Sequence, residues 1–188
     1  MQKKFALTNE TRVLNNQTLY RIKALRNFAD VKAGDLGGFI ESENNLSHDG
    51  NCWVYDNALV LNPAYIYENA RVSDKAIIMG FVYGNAHVCD RARVYANAHV
   101  YDNAHLSYNA WVYNNARVYG NAKLSGCARI HSNAVVYNDA VVSGAAKIYG
   151  NVYGNARIKR HSDLYSVPIN CEVYESDHVV KIIENKAA

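Results

Sequence analysis

From Asn85 the chain falls into successive six-residue units: NAHVCD, RARVYA, NAHVYD, NAHLSY, NAWVYN, NARVYG, NAKLSG, CARIHS, NAVVYN, DAVVSG and AAKIYG. A unit this short cannot bury an apolar face alone, so it must stack on its neighbours and build a solenoid. The consensus is Asn-Ala-x-Val-Tyr followed by Gly, Asp or Asn. Looser units keep the same phase earlier, as NCWVYD from Asn51, NALVLN, PAYIYE, NARVSD and KAIIMG. Two units are shortened by two residues, FVYG at Phe81 and NVYG at Asn151.

Within Ala-x-Val-Tyr the side chains alternate, so Ala and the β-branched residue face one way while x and Tyr face the other. The inward pair is nearly constant, as in Ala98/Val100, Ala116/Val118 and Ala134/Val136. The remaining two positions turn the chain. Asn tolerates positive φ better than other non-glycine residues, which assigns that conformation to Asn97, Asn103, Asn109, Asn115 and Asn121. Stacked amides should also bond one another along the column. Tyr101, Tyr119 and Tyr137 recur at 18 residues, as do Ser107, Ser125 and Ser143, and Tyr95, Tyr113, His131 and Tyr149 form a third series. Three walls of six residues follow, and both shortened units fall on the same wall. The predicted architecture is an all-β parallel β-helix, a triangular prism with 18-residue coils.

A solenoid needs closed ends, since open rungs invite edge pairing. Residues 1–36 have a different grammar, with alternating strands around Asn15-Asn16, and read as an N-terminal hairpin cap. The helix is expected over 37–166, closing onto Gly37-Gly38-Phe39-Ile40. Pro168 interrupts the pattern, and 167–188 reads as a strand-like cap, tail or oligomer contact, with Glu172 to Ile183 extended. Cys52, Cys89, Cys127 and Cys171 are widely spaced, as expected of reduced thiols in a cytoplasmic protein. No signal peptide or membrane-spanning run is legible. A net charge of +3 permits an acidic or nucleic-acid partner without requiring one, and argues against duplex mimicry.

These hexads resemble the hexapeptide-repeat superfamily, and the likeness implies a left-handed turn. The entry segment from Phe28-Ala-Asp-Val to Gly37-Gly38-Phe39-Ile40, continuing through Asn45-Leu-Ser to Cys52-Trp-Val-Tyr-Asp, is similar to that of bacterial YdcK-like proteins and of phage hexapeptide proteins. The resemblance spans roughly residues 28 to 160. It implies an acyltransferase relationship: such enzymes form trimers, bind acetyl-CoA between subunits and use a His as general base toward a hydroxyl or amine.

Candidate chemistry lies in the outward positions. His87, His99 and His105 occupy x and are the candidate bases; as plain solvated side chains they need no further role. His87 and His105 share a column with Cys89 beside it, residue types that could hold zinc, but a flat wall offers no fourth ligand, so no metal is expected and stacked solvent-facing histidines are the plainer reading. Arg93/Tyr95, Trp111/Tyr113, Arg129/His131 and Lys147/Tyr149 alternate basic with aromatic and form a candidate binding surface. Tyr67, Tyr83, Tyr101, Tyr119, Tyr137 and Tyr153 form a second, suited to self-association. Acyltransferases of this type carry a long pocket-building loop, whereas departures here are deletions. The sequence therefore reads first as a non-catalytic binding module without cofactor, plausibly phage encoded, that contacts a protein partner such as a host defence or nuclease complex. An acetyl-CoA-dependent O- or N-acyltransferase is the alternative, and a single-stranded nucleic-acid binder the second.

Overall fold

The computed structural model describes residues 3–159, 166–175 and 181–182. The repeat coils into three parallel sheets, and every rung pairs with the rung one coil away. One sheet, here the serine face, runs from Trp53–Val54 to Arg157–Ile158; the tyrosine face runs from Tyr65–Ile66 to Cys171–Val173. The third, the hairpin face, runs through Leu59–Val60, Arg93–Val94 and Trp111–Val112 to Ser166–Val167. This is the parallel β-helix expected from the repeat, with the left-handed turn that the resemblance implied. Pairings such as His99↔Arg117 and Trp111↔Arg129 confirm the 18-residue coil. The shortened units, Phe81–Val82 and Asn151–Val152, both lie on the tyrosine face.

The inward residues make one continuous core. Ala98, Val100, Ala104, Leu106, Ala110 and Val112, the contribution of one coil, are fully buried. Each wall contributes a branched side chain at its centre, worth about 1.5–3 kcal/mol on burial, while alanine occupies the corner where walls converge.

The corners correct one expectation. The left-handed conformation belongs to the sixth position of the unit, one before the position asparagine favours: Asp90 (φ 57°), Ala96 (56°), Asp102 (54°), Asn114 (62°) and Asn138 (57°), with glycines at 84, 120, 126, 144 and 154. That sixth position explains the Gly/Asp/Asn preference. The asparagine that follows instead hydrogen-bonds along the axis. Asn51 donates to Asn69, Asn69 to Asn85, Asn85 to Asn103, Asn103 to Asn121 and Asn121 to Asp139, at 3.0–3.2 Å. A second column links Asn97, Asn115 and Asn133. Hydrogen bonding along the corner, rather than bending the backbone, is what selects asparagine.

Strands β1 (Phe5–Leu14) and β2 (Gln17–Ala24) form an antiparallel hairpin whose turn residues Asn15 and Asn16 both have positive φ. Strand β3 (Leu36–Ile40) pairs antiparallel with β2 and parallel with Leu59–Val60, converting the hairpin into the first rung of its face. The first coil is plugged by Trp53, edge-on to Phe28 at 5.3 Å and Phe5 at 6.3 Å. Lys4 is wholly buried at the same end; its Nζ donates to the Cys52 carbonyl at 2.9 Å and the Asp49 carbonyl at 3.2 Å. Burial pushes its ammonium below the usual lysine range. At the other end Cys171–Val173 pairs parallel with Asn151–Val152 and antiparallel with Lys181–Ile182. Of the strand-like tail expected from Glu172 to Ile183, residues 176–180 and 183 lie outside the described residues.

Gly150 marks the second shortened unit. A β-carbon there would overlap the carbonyl oxygens of Cys171 and Pro168 in the next coil. Gly150→Ala should cost about 1–3 kcal/mol by overpacking, lowering Tm by about 3–10 °C for a chain of this length. Thermal melting followed by circular dichroism measures it; an unchanged Tm would mean the last coils contribute nothing to the cooperative unit.

Candidate active site

The three walls carry different outward rows. On the tyrosine face Tyr67, Tyr83, Tyr101, Tyr119, Tyr137 and Tyr153 stack rung on rung, with centroids 4.6–5.1 Å apart. Tyr174 extends the column at 5.8 Å. These rings are half-buried against each other rather than freely exposed. In the adjacent row His99 lies flat on Phe81 at 4.7 Å with Arg117 one rung above. Burial first, and Arg117 second, keep its imidazole below the usual histidine range. His99 Nδ1 is buried with no partner. A buried N–H there would be left unsatisfied at a cost of about 1–3 kcal/mol. The proton therefore belongs on Nε2, the other ring nitrogen, and His99 is a poor base.

On the hairpin face the predicted alternation is present, but it packs on itself. The guanidinium groups of Arg93 and Arg129 sit 4.9 and 5.2 Å from the Trp111 ring, on successive rungs. Tyr95 is edge-on to Trp111. Tyr113 and His131 stack at 5.0 Å, Tyr149 meets His131 edge-on, and His131 is only 8% exposed. Lys147 at the top of the row is exposed. Much of this predicted binding surface is thus satisfied within the wall.

The serine face differs because its second row is small. Ser73, Cys89, Ser107, Ser125 and Ser143 leave the first row accessible from the side, and His87 and His105 stand in that row in direct register. Their rings meet at 5.1 Å and 64°. The ligand atoms of His87, Cys89 and His105 lie within 4.8 Å of one another, so the predicted cluster does assemble. All three side chains are half-buried rather than fully solvated. Burial, then His105 and Arg71, hold the His87 imidazole below the usual histidine range. Burial and the neighbouring Asp90 and Asp74 carboxylates push the Cys89 thiol up to about 11.

Hydrogen bonding orders His87. Asp74 accepts from the Asp90 amide at 3.1 Å and from the Ser73 hydroxyl at 2.9 Å, and these bonds hold its carboxyl below the usual range. As a carboxylate it only accepts. The Ser73 proton is therefore committed to Asp74, and Ser73 Oγ, 3.4 Å from His87 Nε2, is left to accept. This relay assigns the proton to Nε2 and leaves the lone pair on Nδ1.

Beside this wall, the corner toward the hairpin face carries two contiguous grooves. One, of about 460 Å³, is lined by Asp56, Asp74, Asp90 and Tyr108 on one side and Asn57, Lys75, Arg91 and Asn109 on the other. The second, of about 500 Å³, shares Asn57, Lys75 and Arg91, and adds Arg12, Arg93, Leu59 and Ile77. Its lining holds four cations and no carboxylate; among the described residues none of the four makes an ion pair. Arg12 comes from the hairpin, held by Asn57 at 2.6 Å and by the Phe39 ring.

Sequence reasoning missed these grooves, since the hairpin's approach to the corner is a tertiary fact. Tyr108 was findable. It stands at the sixth position of NAHLSY, where Gly, Asp or Asn is the rule, and it adopts φ 55° while remaining 63% exposed. A bulky residue held at positive φ runs against the preference of this corner position.

No protein-family model matches the chain. An alignment of 95 positions, which covers 46% of the chain, is 36% identical to the Escherichia coli (strain K12) protein named uncharacterized acetyltransferase YdcK. The match spans 29% of that relative's length. This likeness overturns the non-catalytic binding module expected from the sequence. The missing pocket-building loop was the main argument for that reading, and the corner grooves weaken it: concave surface forms here without any insertion.

Proposed function

We propose that the chain is an acyltransferase that moves an acetyl group from acetyl-CoA to a hydroxyl or amine, with His87 as general base. The likeness to the acetyltransferase-named relative supports the reaction class. The observation that supports the site is the Asp74–Ser73–His87 relay, which orders a neutral imidazole with its proton on Nε2 and whose Asp74 end lines the first groove. In the reaction His87 Nδ1 takes the acceptor proton as the acceptor oxygen or nitrogen bonds to the thioester carbonyl carbon. The carbon–sulfur bond then breaks, and the same proton passes to the departing thiolate. The cationic groove, with Arg12, Lys75, Arg91 and Arg93, suits the phosphates of the acyl donor, and Leu59 and Ile77 suit its apolar arm. The acceptor then reaches His87 past Asp74, which lines the first groove and ends the relay.

The test is acetyl release from acetyl-CoA with amine and sugar-hydroxyl acceptors, read as free thiol across pH 5–8. A general base works deprotonated, and the environment of His87 lowers its pKa, so the rate should already be at its plateau at pH 7. It should fall about tenfold per unit only below a midpoint under about 6.5. A midpoint above 7 would remove His87 from the role. Absence of turnover with every acceptor would remove the reading.

A further inference from the structure

His87, Cys89 and His105 have a second capacity that acyl transfer does not use. Two imidazoles and a thiol on adjacent rungs present their ligand atoms within 4.8 Å of one another. Tetrahedral zinc, with bonds of about 2.0 Å to nitrogen and 2.3 Å to sulfur, needs its ligand atoms about 3.3–3.7 Å apart. Small side-chain rotations close that gap, because the row of Ser73, Cys89 and Ser107 leaves room on one side. The outer surroundings fit as well. Metal-bound histidines characteristically give their other N–H to a carboxylate or an intermediary, and His87 does so through Ser73 to Asp74. The Asp90 carboxylate, in no ion pair among the described residues, accepts from the Tyr108 amide at 2.7 Å and flanks Cys89 in sequence. A thiolate and the carboxylates of Asp74 and Asp90 offset the charge of a divalent ion. Three protein ligands leave one position for water.

We infer that His87, Cys89 and His105 bind a divalent transition-metal ion of the zinc type, and that the bound ion silences acyl transfer by occupying the Nδ1 lone pair of His87. The first half stands on the geometry of the cluster; the second rests on the acyl-transfer reading. Cys89 is the discriminating residue, since it can ligate the ion but has no part in the proposed transfer.

Cobalt(II) is the probe, because thiolate ligation gives it a charge-transfer band in the near ultraviolet. Titration of the full, metal-free chain should give that band at about one cobalt per chain, displaced by zinc. Cys89→Ser should abolish the band, and His105→Ala should weaken cobalt binding by about 10–100-fold, with circular dichroism showing both variants folded. No band in the folded wild type, or a band unchanged in Cys89→Ser, overturns the metal site. In the acetyl-release assay zinc should stop the wild type and spare Cys89→Ser. Equal inhibition of both overturns the regulatory half. The cobalt arm needs no turnover, so a failure of the transfer reading cannot be mistaken for a failure of the metal site.

Discussion

Replacing His87 by alanine should lower acetyl transfer by about 10²–10⁴-fold, the usual contribution of a positioned base. The loss should fall on kcat, with KM for acetyl-CoA little changed, because the cationic groove that takes the donor lies toward the other face. His87 is half-buried and its ring contributes no core contact, so stability should change by less than about 1 kcal/mol. Steady-state kinetics together with a thermal melt separates the two effects. His99→Ala is the control: it sits on the tyrosine face with its buried Nδ1 unpartnered, and its loss should leave the rate within a few-fold of wild type. Ser73→Ala should act between these limits, since it breaks the relay without removing the base. If His99→Ala abolished transfer and His87→Ala did not, the reacting centre would lie on the tyrosine face and the corner grooves would be bystanders.

The largest effect on stability is expected from Trp53→Ala. Trp53 is 1% exposed and touches Phe5 and Phe28, so it closes the open end of the prism as a plug. Truncation of a buried tryptophan costs about 3–5 kcal/mol. In a solenoid each coil leans mainly on its neighbours, so the loss should concentrate at the first coils. Hydrogen exchange should show protection falling in β1–β3 and in Trp53–Val72 first, while the coils beyond Asn97 retain theirs. Uniform loss along the whole chain would mean that the rod unfolds as a single unit. The same end holds Lys4 in a wholly buried position, and the hairpin also delivers Arg12 to the groove. A loosened plug should therefore weaken acetyl-CoA binding as well as lower Tm.

How much of this was legible in the chain depends on the range of the interaction. The inward Ala/Val pair, the 18-residue columns of Tyr101, Tyr119 and Tyr137, and the pairing of His87 with His105 all follow from one period repeated many times. A regular repeat turns a long-range contact into a local rule: any residue meets the one a coil away. The asparagine columns were foreseen as amide ladders for the same reason. Their assignment to positive φ was not correct, because a two-residue corner has two candidates for the left-handed position, and Asn ranks close to Gly and Asp for it. Only the backbone path, which places Asp90, Ala96 and Asp102 there, decides.

The chain by itself determined the rod: its three walls, its core and the side chains that stack on each wall, because stacking at a fixed interval needs no information beyond the repeat. The tertiary structure decided what those walls can do. It set which nitrogen of His87 bears the proton, through a relay across two coils, and it brought Arg12 from the hairpin to Lys75, Arg91 and Arg93. It also turned rows that read as exposed into rows that satisfy themselves, as His131 does between Tyr113 and Tyr149. Hydrogen-bond direction and the approach of a non-repeating segment carry no period, and so leave no trace in the spacing of residues.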